Sequence, residues 1–234
     1  MKIIVYHVTS SIFISSIKEH GLSAIDIRKA LPDLSVAMNE IIDTLDRKYS
    51  ELGIDWGENA GFSGNCKRMA NREYKNQSGM DYEYGSVYVT PSQSRILIYY
   101  SYEFGSELIT YFYRLYRCLF VKLKDNSRDA FEAKYRKLAD VINIENKVNL
   151  ILKAEVDTDD MLSDVGKPLD KNDIEYIEFM REMCKGDIQR SYRMTRTLKP
   201  DEMEVLILEE NKFKSLGNLS ELEIPEEWVQ IEII

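Results

Sequence analysis

The sequence predicts an α+β fold built on a mostly antiparallel sheet. Short runs of β-branched and aromatic residues, typical of strands, are intermixed with amphipathic segments typical of helices. They lack the regular strand–helix–strand alternation that a parallel sheet requires, and no internal repeat is visible. The chain has 234 residues, 44% of them hydrophobic and 30% charged, which is enough to bury a sizeable core. We expect a single domain spanning residues 1–234.

The chain begins with a strand that carries a histidine near its end. The apolar run at residues 3–5 leads to Tyr6 and His7 and then to a cluster of hydroxyl residues. Ser10 or Ser11 can cap a following helix, which Gly21 ends. A histidine at the end of a buried strand is a candidate functional group. The structural alternative is a half-buried histidine that donates a hydrogen bond to a carbonyl.

The next two segments differ in character. Residues 22–50 carry apolar side chains at helical spacing, with Pro32 as a break or first-turn residue. Residues 53–85 are rich in glycine and asparagine, and we interpret them as a loop-rich insertion with a helical turn around 67–75. A loop of this length in a compact domain is usually functional or mobile.

A second strand–turn–helix unit follows the insertion. Tyr88 lies in a short strand that ends in Thr90-Pro91-Ser92, and Ser92 can cap the next helix, which stops before Gly105. The remaining pattern predicts an apolar segment at 108–124 ending in a strand at 119–123, a helix at 127–142, a strand at 147–156, an acidic loop at 157–170, a helix at 174–185, a strand at 202–208 and a last strand at 228–234.

Composition excludes several classes of function. The formal net charge of -9 argues against a broad electrostatic grip on nucleic acid or anionic lipid, although a local basic patch stays open. Three widely spaced cysteines and two histidines predict neither a disulfide framework nor a metal site. The sequence shows no cleavable signal and no membrane-spanning run, so we expect a cytoplasmic protein.

Three segments, in this order, resemble the catalytic core of the ADP-ribosyltransferase superfamily, which includes the diphtheria-type and cholera-type toxins and the poly-ADP-ribose polymerases. VYHVTSSIFISSIKEHGL resembles the family's first strand and helix. GSVYVTPSQSRILIYY resembles its Gly-x-Tyr strand and the helix with a second aromatic residue. PDEMEVLILEENKF resembles its glutamate-led strand. The resemblance implies a split antiparallel sheet core with flanking helices.

The family likeness implies an NAD-dependent mono-ADP-ribosyltransferase with NAD as co-substrate and no metal. Such a site must hold the leaving nicotinamide, orient the ribose and place negative charge where positive charge develops. By resemblance, Tyr88 and Tyr99 hold the ring and Glu204 faces the charge. The other implied contacts are His7 to a ribose hydroxyl, the backbone of Val8 to the carboxamide, hydroxyl contacts from Thr9, Thr90 and Ser92, and acceptor positioning by Glu202.

The chain departs from any one subgroup of the family. Ile96 stands where polymerase-type members carry a hydroxyl, for which Ser94 is a substitute, and His7 stands where the arginine-modifying toxins carry arginine. RNA 2′-phosphotransferases also begin with a similar Tyr-His strand but need several arginines, for which Arg28, Arg68, Arg72 and Arg95 are candidates. Three hypotheses therefore stay open: transfer to a protein, nucleic-acid or small-molecule acceptor, NAD hydrolysis, and a catalytically silent binding module.

Overall fold

The structure, a computed structural model, describes residues 1–23, 31–51, 60–70, 87–100, 104–183, 188 and 190–228. In chain order its elements are β1 (Lys2–Ser10), α1 (Ile14–His20), α2 (Leu34–Glu51), α3 (Ala60–Met69), β2 (Tyr88–Val89), α4 (Gln93–Tyr100), α5 (Glu107–Tyr116), a π-helix (Arg117–Lys122), α6 (Arg128–Lys134), α7 (Arg136–Ile142), β3 (Asn149–Asp157), β4 (Met161–Ser163), α8 (Lys171–Met183), β5 (Tyr192–Met194), β6 (Met203–Glu209) and β7 (Lys212–Asn218).

The chain divides into two compact units. The first comprises Met1–Asp26, Glu83–Ser106 and Asn146–Ile234, and it holds all of these strands together with α1, α4 and α8. The second comprises Ile27–Tyr82 and Glu107–Glu145 and is helical in its described residues. The α+β class is therefore confirmed, while the single domain stays a prediction.

Two antiparallel sheets form the first unit. One has the strand order β1-β3-β6-β7 and the other β2-β5-β4. They are linked where Tyr6 of β1 bridges Thr90, which directly follows β2. The Tyr6 N–H donates to the Thr90 carbonyl at 2.8 Å, and the Thr90 N–H donates to the Tyr6 carbonyl at 2.9 Å. We call this place the sheet junction.

Alternation along β1 gives the first sheet two faces. Tyr6 and Val8 lie on one face, where they pack with Ile151, Leu206 and the α4 residue Ile96. We call this the Tyr6 face, and the opposite one, which carries Val5, His7 and Thr9, the His7 face. Helix α4 therefore covers the Tyr6 face beside the sheet junction.

Local chemistry accounts for the start and end of these helices. Gly21 ends α1 with a φ of 80°, a conformation that L side chains rarely adopt. Ser92 caps α4 as the sequence predicts, because its Oγ accepts the Arg95 N–H at 3.0 Å. Ser10 makes no such side-chain cap to the short 3₁₀ turn Ser11–Phe13 that precedes α1.

The strand predicted at 119–123 is wrong, because α5 continues there as the π-helix. An apolar run of this length fits a buried helix as well as a strand. The helix sets Tyr116 and Phe120 side by side at 5.0 Å between ring centroids, and Phe120 packs on Phe131 at 5.1 Å. Aromatic packing on neighbouring helices thus fixes a helical state that the alternating pattern concealed.

Other boundaries differ from the sequence prediction in smaller ways. The helix predicted at 127–142 is broken at Tyr135, whose φ of -116° and ψ of 46° are not helical. The acidic loop at 157–170 contains β4, and the insertion at 53–85 contains α3. The rest of that insertion and the last strand beyond Trp228 lie outside the described residues.

Candidate functional site at the sheet junction

His7 interrupts the pairing between β1 and β2. If the register of Tyr6 with Thr90 continued, the next hydrogen-bonded pair would be Val8 with Tyr88. Instead, the Tyr88 carbonyl accepts a hydrogen bond from the imidazole Nδ1 of His7 at 2.9 Å. The sequence left open that His7 is a structural histidine that donates to a carbonyl, and Nδ1 makes this bond. The bond lies where the two sheets part.

The interruption leaves the peptide groups of Val8 open. Peptide groups alternate sides along an antiparallel strand, so those of Val8 point the same way as those of Tyr6, towards β2. No backbone hydrogen bond joins Val8 to Tyr88 or to any other described residue on that side. One N–H donor and one carbonyl acceptor therefore line the junction, at the residue that the family resemblance assigns to a carboxamide.

The second nitrogen of His7 is available to a ligand. A carbonyl oxygen only accepts, so Nδ1 carries the proton, and burial of the half-buried ring lowers the pKa of His7 from its ordinary value. The ring is then neutral near pH 7 and its Nε2 is a hydrogen-bond acceptor. Nε2 makes no hydrogen bond within the described part of the chain. A ligand hydroxyl can donate to it.

Tyr88 and Tyr99 lie on the Tyr6 face of the junction. Tyr88 is two residues from Thr90, the partner of Tyr6, and its cross-strand partner in the second sheet is Arg193. Tyr99 packs against the core of that face, and its hydroxyl lies 3.3 Å from the Ser191 Oγ near the start of β5. The two tyrosines thus share the region above β2 and β5.

Arg95 fixes the position of Tyr99. Its Nε donates to the Tyr99 hydroxyl at 2.8 Å, and its guanidinium carbon lies 5.6 Å from the ring centroid. Of the four arginines considered from sequence, Arg95 alone is placed beside these tyrosines by the described contacts. Arg68 belongs to the second unit, on α3, and Arg28 and Arg72 lie outside the described residues.

The hydroxyls expected to contact NAD are used inside the protein or are buried. The Thr90 hydroxyl donates to the carbonyl of Arg190 at 2.7 Å and accepts the Ser92 N–H at 3.2 Å. Ser92 is fully buried as the cap of α4. Thr9 is buried on the His7 face. Gly105 lies so close to the Thr9 backbone that a Cβ added to Gly105 would be 2.2 Å from the Thr9 carbonyl carbon. These three residues shape the junction from within.

Glu204 lies apart from His7 in the first sheet. In register, Glu204 faces Lys153, and Lys153 faces Tyr6, so Glu204 lies two strands from β1 on the Tyr6 face, roughly 10 Å across the sheet. The cross-strand partner of His7 on β3 is Leu152, and the partner of Leu152 on β6 is Val205. The Glu204 carboxylate accepts from the Lys153 ammonium at 2.7 Å, which lowers the pKa of Glu204. Register thus places Glu204 on the face opposite His7, the same face on which Tyr99 packs.

Glu202 is engaged in an ion pair instead of facing an acceptor. Both of its carboxylate oxygens accept from Arg196 at 2.9 Å, and Arg196 also donates to Asp160 at 2.7 Å. The same carboxylate caps the 3₁₀ turn before β6 by accepting the Lys199 N–H at 2.7 Å. Hydrogen bonds from Arg196 are the main reason that the pKa of Glu202 is lowered. Glu202 therefore fastens the turn that leads into β6.

Sequence reasoning missed β5, the strand that borders β2. It is three residues long, and Arg193 faces Tyr88 while Tyr192 faces Val89. The alternation of buried Tyr192, half-buried Arg193 and buried Met194 was the available signal, but three residues are too few to stand out. Tyr192 is almost fully buried, and within the part of the chain that the structure describes its hydroxyl makes no hydrogen bond of normal geometry.

Comparisons of this chain with protein-family models, with curated proteins and with solved structures find no match. The described residues contain no cluster of three or more His, Cys, Asp or Glu side chains that could hold a metal ion. Within the same ranges, no helix is both long and apolar enough to cross a membrane.

Proposed function

We propose that this chain is an ADP-ribosyltransferase-like module that binds NAD at the sheet junction and does not use Glu204 for turnover. The observation that carries the proposal is the hydrogen bond from His7 to the Tyr88 carbonyl, which replaces a strand pair and leaves the Val8 peptide without a backbone partner on that side among the described residues. It joins the first two segments of the family resemblance at one place. The finer fold, a split sheet of the ADP-ribosyltransferase kind, belongs to the same proposal and is supported by the two sheets that part there.

The chemistry of the junction fits the nicotinamide riboside half of NAD. A carboxamide offers one acceptor and a donor pair, which complement the N–H and carbonyl of Val8. A ribose hydroxyl can donate to the neutral Nε2 of His7. The rings of Tyr88 and Tyr99 on the Tyr6 face offer aromatic surface to a cationic ring, a favourable contact.

The position of Glu204 favours binding without turnover. A carboxylate that stabilises positive charge on the ribose must contact the reacting centre. Glu204 lies on another strand and is paired with Lys153. Near Tyr88 the described residues of β5 and its approach carry Arg190, Ser191 and Arg193 instead of a carboxylate.

Mono-ADP-ribosyl transfer, with NAD hydrolysis as its variant, is the second candidate function. The observation in its favour is that His7 and Tyr88, which serve binding and orientation in the resemblance, are direct neighbours. In that case the acceptor is a protein or a nucleic acid, and the carboxylate is one other than Glu204. The two candidates differ in whether nicotinamide is released.

Calorimetric titration with NAD, paired with chromatography of released nicotinamide, tests the proposal. We expect NAD to bind and to raise the thermal midpoint of the parent protein, because a ligand that binds only the folded state stabilises it. His7→Ala and Tyr88→Ala should weaken binding, while His20→Ala, a change at the only other histidine, exposed at the end of α1, should not.

The outcomes separate the candidates. Binding without release of nicotinamide supports the silent module. Release of nicotinamide together with transfer of labelled ADP-ribose from labelled NAD to a protein or nucleic acid supports the enzyme. Absence of binding, or equal binding by the parent and both junction variants, would overturn the assignment of this site.

A further inference from the structure

Charge is unevenly divided between the two units. The first unit contains 15 Lys and Arg residues against 25 Asp and Glu residues, whereas the second contains 16 against 15. The acidic balance of the chain therefore resides in the first unit. A basic surface can exist on the second unit without conflict with the net charge of -9.

Four basic side chains of the second unit follow one another along one helix and its C-terminal end, and Glu107 at the start of that helix is the one carboxylate there. Residues 108–124 contain four cations and no carboxylate. They comprise α5 without its first residue, the π-helix and the next two residues. Arg114, Arg117, Lys122 and Lys124 are all exposed. We call these four residues the basic stripe.

The π-helix brings two of the four cations to one side. In an α-helix, Lys122 would be rotated by about 140° from Arg117, because five residues exceed one turn of 3.6. A π-helix is wider, and its N–H of residue i+5 bonds the carbonyl of residue i, so residue i+5 is rotated much less from residue i; the Leu123 N–H donates to the Cys118 carbonyl at 3.2 Å with this spacing. Arg117 and Lys122 therefore lie closer to one side of the helix than an α-helix would place them, with Arg114 one turn earlier.

Nearby carboxylates are paired or buried. Asp125 binds Lys48 at 2.8 Å, and Glu132 binds Arg128 at 2.8 Å. Glu107, at the start of α5, is half-buried; burial raises the pKa of that carboxyl, and the charge of Arg114 opposes this rise, so one carboxylate faces the four cations of the stripe. The field of the basic stripe is thus not cancelled by these groups.

Aromatic rings lie beneath the two arginines. The Arg114 guanidinium is 5.7 Å from the Tyr111 centroid, and that of Arg117 is 5.7 Å from the Tyr113 centroid. Tyr113 is only half-buried, so part of its ring is accessible. Cations interleaved with an accessible ring form the pattern by which proteins hold single-stranded nucleic acid.

We propose that the basic stripe binds the phosphate backbone of single-stranded nucleic acid. Arg114 and Lys124 are ten residue steps apart, about 15 Å at the α-helical rise, which is enough for a few consecutive phosphates. Guanidinium forks suit phosphate oxygens, and Tyr113 can stack on a base. A membrane surface is the poorer match, because Val121 is the one exposed large aliphatic side chain of this segment. This proposal does not rest on the proposed binding of NAD.

Fluorescence anisotropy with a fluorescein-labelled single-stranded oligonucleotide of 20 nucleotides, as DNA and as RNA, tests it on the full chain. Four phosphate contacts predict that the logarithm of the association constant falls with the logarithm of salt at a slope of about -3. Replacing all four cations by glutamine should abolish binding, and Arg114→Gln with Arg117→Gln should reduce the magnitude of the slope to about half.

A matched control removes four exposed cations of the first unit: Lys2, Lys171, Lys199 and Lys212, each changed to glutamine. It makes the same change in net charge, so binding that falls equally in both sets would overturn the proposal. So would the absence of oligonucleotide binding by the parent, or stripe-dependent binding only to phosphatidylserine vesicles. Circular dichroism and thermal melts of both sets establish that each is folded, and the two-residue variant provides the test if the fourfold change unfolds the chain.

Discussion

The role of Glu204, which stays a prediction, is tested most directly by Glu204→Gln. The family resemblance places this carboxylate at the reacting ribose, where its loss would cost on the order of a hundredfold or more in rate. In the structure its partner is Lys153, at 2.7 Å, and its row reaches Tyr6 instead of His7. We therefore expect the substitution to affect stability slightly and ligand chemistry not at all.

The magnitude follows from exposure. The Lys153 and Glu204 side chains retain 34% and 36% of their accessible surface, so water screens the pair. Pairs of this kind contribute about 0.2–1 kcal/mol. Loss of about 1 kcal/mol would lower the thermal midpoint of a chain of this size by about 2–4 °C. A hundredfold effect on binding or rate would instead equal about 2.7 kcal/mol.

The assay combines urea denaturation with calorimetric titration of NAD and chromatography of released nicotinamide. Glu155→Gln is the matched control, since Glu155 lies on the neighbouring strand β3 and pairs loosely with Lys2 at 3.7 Å. Lys153→Gln should lose about the same stability as Glu204→Gln, and the double variant should lose no more than either single change. A lowered carboxyl pKa stabilises the fold above the unfolded-state value, so the deficit of Glu204→Gln should shrink as pH falls below about 4.3.

The reasoning would be refuted by one result above all. If Glu204→Gln lost NAD affinity or nicotinamide release a hundredfold while Glu155→Gln retained both, Glu204 would act at the ligand. The register between β3 and β6 would then fail to describe the functional state.

Three further predictions concern buried or charged groups. Asp125→Asn should lower the free energy of unfolding by about 1–2 kcal/mol at pH 7, because hydrogen bonds from Lys48 and Ser127 hold the pKa of Asp125 at about 2. Urea titrations should show that this loss of stability fades as pH falls below about 4. A loss that stays constant with pH would contradict the prediction. Tyr192→Phe removes a buried hydroxyl that makes no hydrogen bond of normal geometry to the described residues, so chemical denaturation should show stability unchanged or raised by about 1 kcal/mol. A clear loss would reveal a hydrogen bond, with Arg190 the neighbour to test next. Because burial lowers the pKa of His7, the unfolded chain binds a proton at this histidine at a higher pH than the folded chain does. The free energy of unfolding should therefore decline as pH falls below about 6.5, more steeply than in His7→Gln. Equal pH dependence of stability in the two proteins would argue against a buried neutral ring.

Local chemistry made part of the site predictable from the sequence. The β-branched run before His7 forms β1, and Ser92 caps α4, as their neighbours in the sequence indicate. The order of segments also pointed to His7 and Tyr88 together, and they are neighbours across the sheet junction. The first two features depend on residues close in sequence, whereas His7 and Tyr88 are 81 residues apart and were paired by the family resemblance.

The sequence by itself thus determined the α+β class, the first strand with its histidine and the capped helix that follows Tyr88. Only the tertiary structure decided what lies beside them. Pairing of β3 with β6 fixed the face of Glu204, and pairing of β2 with β5 brought Arg193 opposite Tyr88. The reason is physical: side chains alternate along a strand, so a shift of one residue in a partner distant in sequence changes which face a carboxylate occupies, and no local pattern encodes that register.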